Sequence, residues 1–195
     1  GTRANRETLD LYQRVWQKDE TDGKALRWRV EHAQHIHPED VPRFGKLGVI
    51  AAMQGIHCAS DGPWIAARLG EGRTGSTSYP WRSLIEGGAV LGNGSDVPVE
   101  PIDPIASFTA SVTRITAAGE AFYPQHKLTR AEALASYTIN NAYAAFEETL
   151  KGSLTPGKLA DLVVLSDDIM TVPDEQIGNA VVDLTVVGGE IKYAR

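Results

Sequence analysis

Val49-Ile50-Ala51-Ala52-Met53-Gln54-Gly55-Ile56-His57 is the stretch on which the fold turns: five apolar residues in a row, a polar turn, then a histidine. An unbroken apolar run of strand length is the pattern of a parallel strand covered on both faces, since half-solvated antiparallel strands alternate apolar and polar residues. The pattern recurs downstream in Ala89-Val90-Leu91-Gly92, which runs into Asn93-Gly94-Ser95-Asp96. A shorter version lies upstream, where Leu26-Arg27-Trp28-Arg29-Val30 leads into Glu31-His32-Ala33-Gln34.

Helical spacing fills the intervals. Leu9, Tyr12, Val15 and Trp16 recur on one helical face and predict an amphipathic helix over residues 5–20. Pro38-Glu39-Asp40 reads as a helix start that ends at Gly45 or Gly48. A helix is predicted from Ser60 or Asp61 through Leu69, a loop from Gly70 to Ser78, and a further helix over 79–86. Asp103-Pro104 opens another, reaching about Arg114. Thr129-Arg130-Ala131-Glu132 is a capping box, with helix expected behind it to about Glu147. Residues 151–195 change character: apolar strand-like runs flank Gly188-Gly189, a hairpin signal. Strands alternating with helices imply an α/β fold with a parallel sheet or barrel and a small β appendage. Three β/α units are too few to close a barrel, which takes about 250 residues.

Composition narrows the function classes. The 195 residues are 42% hydrophobic and 23% charged with a net charge of −6, which argues against a nucleic-acid partner. A small-molecule substrate fits, and no apolar stretch approaches the ~20 residues of a membrane span. A cytoplasmic setting is expected, although a localisation signal could lie upstream of Gly1. One cysteine, Cys58, excludes an internal disulfide and a Cys-rich zinc site; as a lone Cys beside an apolar strand it reads as packing.

The candidate chemistry sits where strands end. In parallel α/β folds the loops at the carboxyl ends converge on one mouth. His32, His57 and Asp96 each follow a predicted strand. Imidazole and carboxylate together could share a divalent metal or activate a water. Each also has a plainer reading: Asp96 as an Asx-turn or capping residue, His57 as a hydrogen-bonded core histidine. His35 and His37 read as a polar pair near a helix start.

Four segments carry a family resemblance: Val30-Glu31-His32-Ala33-Gln34; Met53-Gln54-Gly55-Ile56-His57 with Ser60-Asp61; Gly94-Ser95-Asp96-Val97-Pro98-Val99; and Gly157 through Leu165. In this order they resemble amidohydrolase family 3, within the amidohydrolase superfamily, a group that includes the N-substituted formamide deformylase-like enzymes. The resemblance implies the C-terminal part of a (β/α)8 metal-dependent hydrolase barrel with a small β-sandwich tail. Residues 1–150 would be barrel strands six to eight with their helices, and 151–195 the C-terminal share of the sandwich.

By the same resemblance His32 and Asp96 are metal ligands, and Asp96 is also the proton acceptor for the attacking water. His57 would contact substrate or the developing oxyanion, and Arg114 would bind substrate. The cofactor implied is a divalent metal, with zinc the expected ion, in the intact enzyme. The reaction implied is hydrolysis of carbon–nitrogen bonds other than peptide bonds, in amide-like or cyclic amide substrates. Residue 55 departs from the pattern, being Gly where Pro is commoner. The other metal ligands of the superfamily belong before residue 1, so the isolated chain is expected to be inactive. The alternative is a catalytically inert C-terminal module that needs the missing part, and exposed barrel edges predict homo-oligomers.

Overall fold

Three short strands carry the first part of the molecule. In the computed structural model, which describes residues 1–195, β1 (Arg29–Glu31), β2 (Ile50–Met53) and β3 (Leu91–Asn93) form a parallel sheet in that order. Val30 lies beside Ala51, and Ala51 beside Leu91, so all three carboxyl ends reach the same side. Ile50, Ala51 and Met53 of the central strand are buried, as their unbroken apolar run requires. In this chain the sheet is open, with three strands and no closure.

The helices show where local sequence governs and where it does not. α1 (Thr2–Lys18) buries Leu9 and Trp16, the face its spacing defines. The expected strand around Leu26 begins later. Asp22 accepts a hydrogen bond from the Lys24 N–H and caps α2 (Gly23–Leu26), and Arg27, at φ 50°, then turns the chain into β1. A 3-10 turn at Pro38–Asp40 leads into α3 (Val41–Leu47), closed by Gly48 at φ 71°.

α4 (Gly55–Leu69) starts five residues before the predicted Ser60. Its first N–H groups find distant partners: Asn93 Oδ1 accepts from Gly55 at 3.0 Å and Ser107 Oγ from Ile56 at 3.0 Å. Pro63 lies inside this helix and has no N–H to offer Ala59 four residues back. The Ala117 N–H supplies the bond instead, at 2.9 Å.

The predicted loop at 70–78 is mostly α5 (Glu71–Thr77). Burial of Thr74 and Thr77 overrides the weak propensity of Gly, Ser and Thr here, and both hydroxyls bond back to carbonyls one turn earlier. α6 (Trp81–Glu86) and α7 (Pro104–Thr113) follow, the latter capped by Asp103. The capping box at Thr129 and Glu132 forms as expected and opens α8 (Arg130–Tyr137). The helix does not continue to Glu147. Thr138, at φ −121° and ψ −95°, breaks it, and α9 (Ile139–Ala144) turns toward the sheet. There Asn140 donates to Leu91 O and Asn141 to Asn93 O, so the outer edge of β3 is partly covered rather than bare.

β4 (Leu162–Leu165), β5 (Val182–Val187) and β6 (Glu190–Ala194) make a separate antiparallel sheet. Gly188 and Gly189, both at positive φ, form the expected hairpin turn. Val163, Val164, Ile191 and Tyr193 are exposed, whereas Ile169, Ile177 and Ala180 lie in the same core as Phe108 and Leu128. No helix is long and apolar enough to cross a membrane.

One close approach is testable. A Cβ on Gly45 of α3 would stand 1.9 Å from Gly87 O, a backbone atom that cannot swing away. Gly45→Ala should destabilise the fold by about 1–3 kcal/mol. The check is the denaturation midpoint, and a gain in stability, as helix propensity alone predicts, would count against this packing.

Candidate metal centre

The three strand-end residues singled out in the sequence converge. One donor atom each from His32, His57 and Asp96 lies within 4.8 Å of the others. His57 Nε2 is 3.7 Å and His32 Nδ1 4.0 Å from Asp96 Oδ2, and the two imidazoles lie 5.8 Å apart, nearly parallel. His32 follows β1 directly, and Asp96 lies three residues past the end of β3. His57 is placed differently: the early start of α4 puts it in the first helical turn, not at the strand end.

The backbone is bent to aim these groups. His32 at φ 66°, Ala33 at 42° and Asp96 at 60° all occupy the left-handed region. Such conformations cost a non-glycine residue about 1–2 kcal/mol, less for Asp, and persist only where the surroundings enforce them. His32 Nδ1 meets Gln54 Oε1 at 2.8 Å. This contact holds the His32 ring in place beside the other two groups.

The donor set fits a divalent metal. His57 is only 9% exposed, yet its Nε2 has no hydrogen-bond partner, an orphan that a buried imidazole ordinarily avoids. Two donors on one tetrahedral zinc, each about 2.1 Å from it, stand about 3.4 Å apart. The His57–Asp96 and His32–Asp96 separations, 3.7 and 4.0 Å, are both wider than this. Two imidazoles and a carboxylate suit zinc and its neighbours.

The remaining candidates lie elsewhere. His37 caps the 3-10 turn, its Nδ1 accepting from the Glu39 N–H, and His35 contacts Ser78 Oγ at 3.1 Å. Burial lowers the His35 pKa and keeps that ring neutral. Cys58 is buried and its thiol is pushed up to about 11, so it is packing and no nucleophile.

Arg114, expected at the substrate, lies inside the protein in this structure. It caps α7 at φ 54° with no exposed surface, so a substrate cannot reach its guanidinium in this structure. Nε donates to Phe122 O at 2.7 Å and Nη1 to Tyr79 O at 3.1 Å, while the guanidinium lies 4.6 Å from the Trp81 ring centre. Its polar contacts are to main-chain carbonyls, not to a carboxylate.

Sequence reasoning missed Gln54, which orients His32, and Asn93, which starts α4. Both directly follow the apolar runs, the one signal that could have marked them. Beside the centre opens a cavity of about 430 Å³, bordered by His32, His57, Gln34, Asp61 and Glu100.

Parallel strands that bring imidazoles and a carboxylate to one mouth define the α/β proteins built around a metal centre. A family model described as "Amidohydrolase family" matches residues 1–193. The chain belongs to the amidohydrolase family.

Among curated proteins it is 38% identical over 194 residues to "Protein LONG AFTER FAR-RED 3" of Arabidopsis thaliana, covering 99% of this chain and 33% of that protein. It is 30% identical over 188 residues to "N-substituted formamide deformylase" of Arthrobacter pascens, covering 96% of this chain and 34% of that one. A solved structure of an uncharacterized metal-dependent hydrolase from Pyrococcus horikoshii OT3 superposes with a TM-score of 0.70 at 30% identity, covering 87% of this chain and 34% of that one. The chain thus spans about a third of the length of these relatives.

Proposed function

We propose that this chain is the C-terminal part of a metal-dependent hydrolase that cleaves carbon–nitrogen bonds other than peptide bonds, in amide-like or cyclic amide substrates. The convergence of His32, His57 and Asp96 within 4.8 Å carries the reading. A relative named for formamide deformylation and a neighbour named as metal-dependent support it. Residues 1–150 would be barrel strands six to eight and 151–195 part of a composite sandwich, the remainder coming from the rest of the protein.

His32 and Asp96 would hold the divalent ion, zinc being the expected one. Such an ion, when bound, lowers the pKa of water toward about 7 and so supplies a nucleophile. Asp96 takes the proton of the attacking water and delivers it to the departing nitrogen. His57 Nε2, buried and unpartnered, would act as an N–H donor to the oxygen on which negative charge develops, and so not as a third ligand. Gln54 keeps the His32 ring in position.

The test is elemental analysis and a substrate panel on the full-length protein. A divalent metal should copurify, chelation should abolish release of amine and carboxylate, and adding metal back should restore it. Full turnover by metal-free protein would overturn the proposal.

A second reading, an inert module, is favoured for residues 1–195 alone by the open sheet and the exposed Val163, Val164, Ile191 and Tyr193. Expressed separately, that segment should self-associate through its uncovered edges and faces. A monomer by light scattering would contradict this.

A further inference from the structure

The turn at His32 and Ala33 and the first turn of α4 reach the centre from different elements, and one side chain joins them. Tyr79 follows Ser78, which pairs with His35 in an isolated antiparallel bridge. It is 2% exposed and stands at φ 51°, a conformation that a bulky side chain rarely takes. Such residues persist where their surroundings over-determine them, and they cluster at functional sites. The Tyr79 main chain is held on both sides. Its N–H donates to Gln34 O at 2.8 Å, and its carbonyl accepts from Arg114 Nη1 at 3.1 Å.

The phenol carries the connection to the centre. Gln34 Nε2 donates to the Tyr79 oxygen and to Asp61 Oδ2, and the Tyr79 hydroxyl donates to the same Asp61 oxygen. The three side chains close a ring of hydrogen bonds. The hydroxyl also lies 3.2 Å from His57 O, a second acceptor for its one proton. Gln34 is two residues past His32, and Asp61 is one turn past His57 on α4. The ring therefore ties the left-handed turn of His32 and Ala33 to the helix that carries His57. Burial, reinforced by the Asp61 carboxylate, drives the Tyr79 pKa far upward and keeps the phenol a donor.

We propose that Tyr79 is a positioning residue of the centre: bonded between Gln34 and Asp61, its hydroxyl sets the His32 imidazole against that of His57. The two rings lie 5.8 Å apart and nearly parallel. A misplacement of about 1 Å around a reacting centre can cost about 10²-fold in rate. This deepens the hydrolase reading and rests on it for the effect on turnover. What Asp61 contributes here is an acceptor oxygen rather than a charge.

The test uses the full-length, metal-loaded protein. Tyr79→Phe removes the hydroxyl and keeps the ring in its edge-on contacts with Trp81 and Phe122. On an amide that the parent hydrolyses, kcat should fall at least about tenfold, with KM within about twofold and bound metal unchanged. A general loss of fold would not produce that split. Asp61→Asn keeps an oxygen that accepts from the phenol, whereas Asp61→Leu keeps none. The kcat of Asp61→Asn should exceed that of Asp61→Leu at least about fivefold, and Asp61→Leu should cost Tyr79→Phe less than about twofold more. The Asp61 pair decides the question if Tyr79→Phe does not fold.

A parental kcat in Tyr79→Phe, or equal kcat in Asp61→Asn and Asp61→Leu, would overturn the proposal. Should the parent hydrolyse no amide, the hydrolase reading fails and positioning is read without turnover. In protein labelled with nitrogen-15 at histidine, the His32 and His57 imidazole resonances should shift in Tyr79→Phe, or in Asp61→Leu if the former does not fold. That of His37, which caps the 3-10 turn, should stay. Resonances of His32 and His57 that do not move would remove Tyr79 from this role.

Discussion

Replacing Asp96 with Asn in the full-length protein should lower kcat by about 10²–10⁴-fold while the protein stays folded. The substitution keeps the shape of the side chain and removes its capacity to take a proton. Asp96 stands at φ 60°, where Asn is as well tolerated as Asp, so the turn after β3 should survive. Its ionic contacts are with His32 and His57, at 4.0 and 3.7 Å, and no structural ion pair is lost. Metal content should be measured alongside turnover, because Asn is a poorer ligand. A loss of rate greater than the loss of bound metal would separate proton transfer from coordination. Turnover within about twofold of the parent would remove Asp96 from the chemistry.

Arg114→Ala should destabilise the protein by about 3–5 kcal/mol. The change empties a large, fully buried volume between Trp81 and Phe122 and strips a donor from each of two buried carbonyls, Phe122 O and Tyr79 O. One offset exists, since Nη2 is itself buried without a partner and its removal relieves that cost. Arg114→Met, which refills much of the space but bonds neither carbonyl, should fall between the two. Thermal and denaturant melts give the comparison. An unchanged melt with a raised KM would place the guanidinium on the substrate, as the family resemblance implies.

How far the sequence could be read depended on the distance over which each decision is made. His32 and Asp96 were legible because an apolar run followed by a polar residue locates a strand and its end within a few positions. The Gly188-Gly189 hairpin and the Thr129 capping box were legible for the same reason. His57 was recognised as a candidate but misplaced. The helix that carries it is started by Asn93 and Ser107, which lie 38 and 51 residues further along the chain. No local pattern reports such partners. α5 was hidden because Gly, Ser and Thr disfavour helix and only burial of Thr74 and Thr77 reverses that preference. The buried bonds of Arg114 were hidden for a related reason: its donors go to main-chain carbonyls, which have no signature in sequence.

The left-handed turns at His32 and Ala33 bear on any attempt to engineer this protein. Glycine or asparagine relaxes such a backbone, so His32→Gly or His32→Asn would be enriched in a library screened for heat tolerance alone. The hardiest clones would then be those that had discarded an imidazole of the centre. Thermal robustness and chemical competence pull in opposite directions at this corner of the molecule, and a screen that monitors only the first would select against the second.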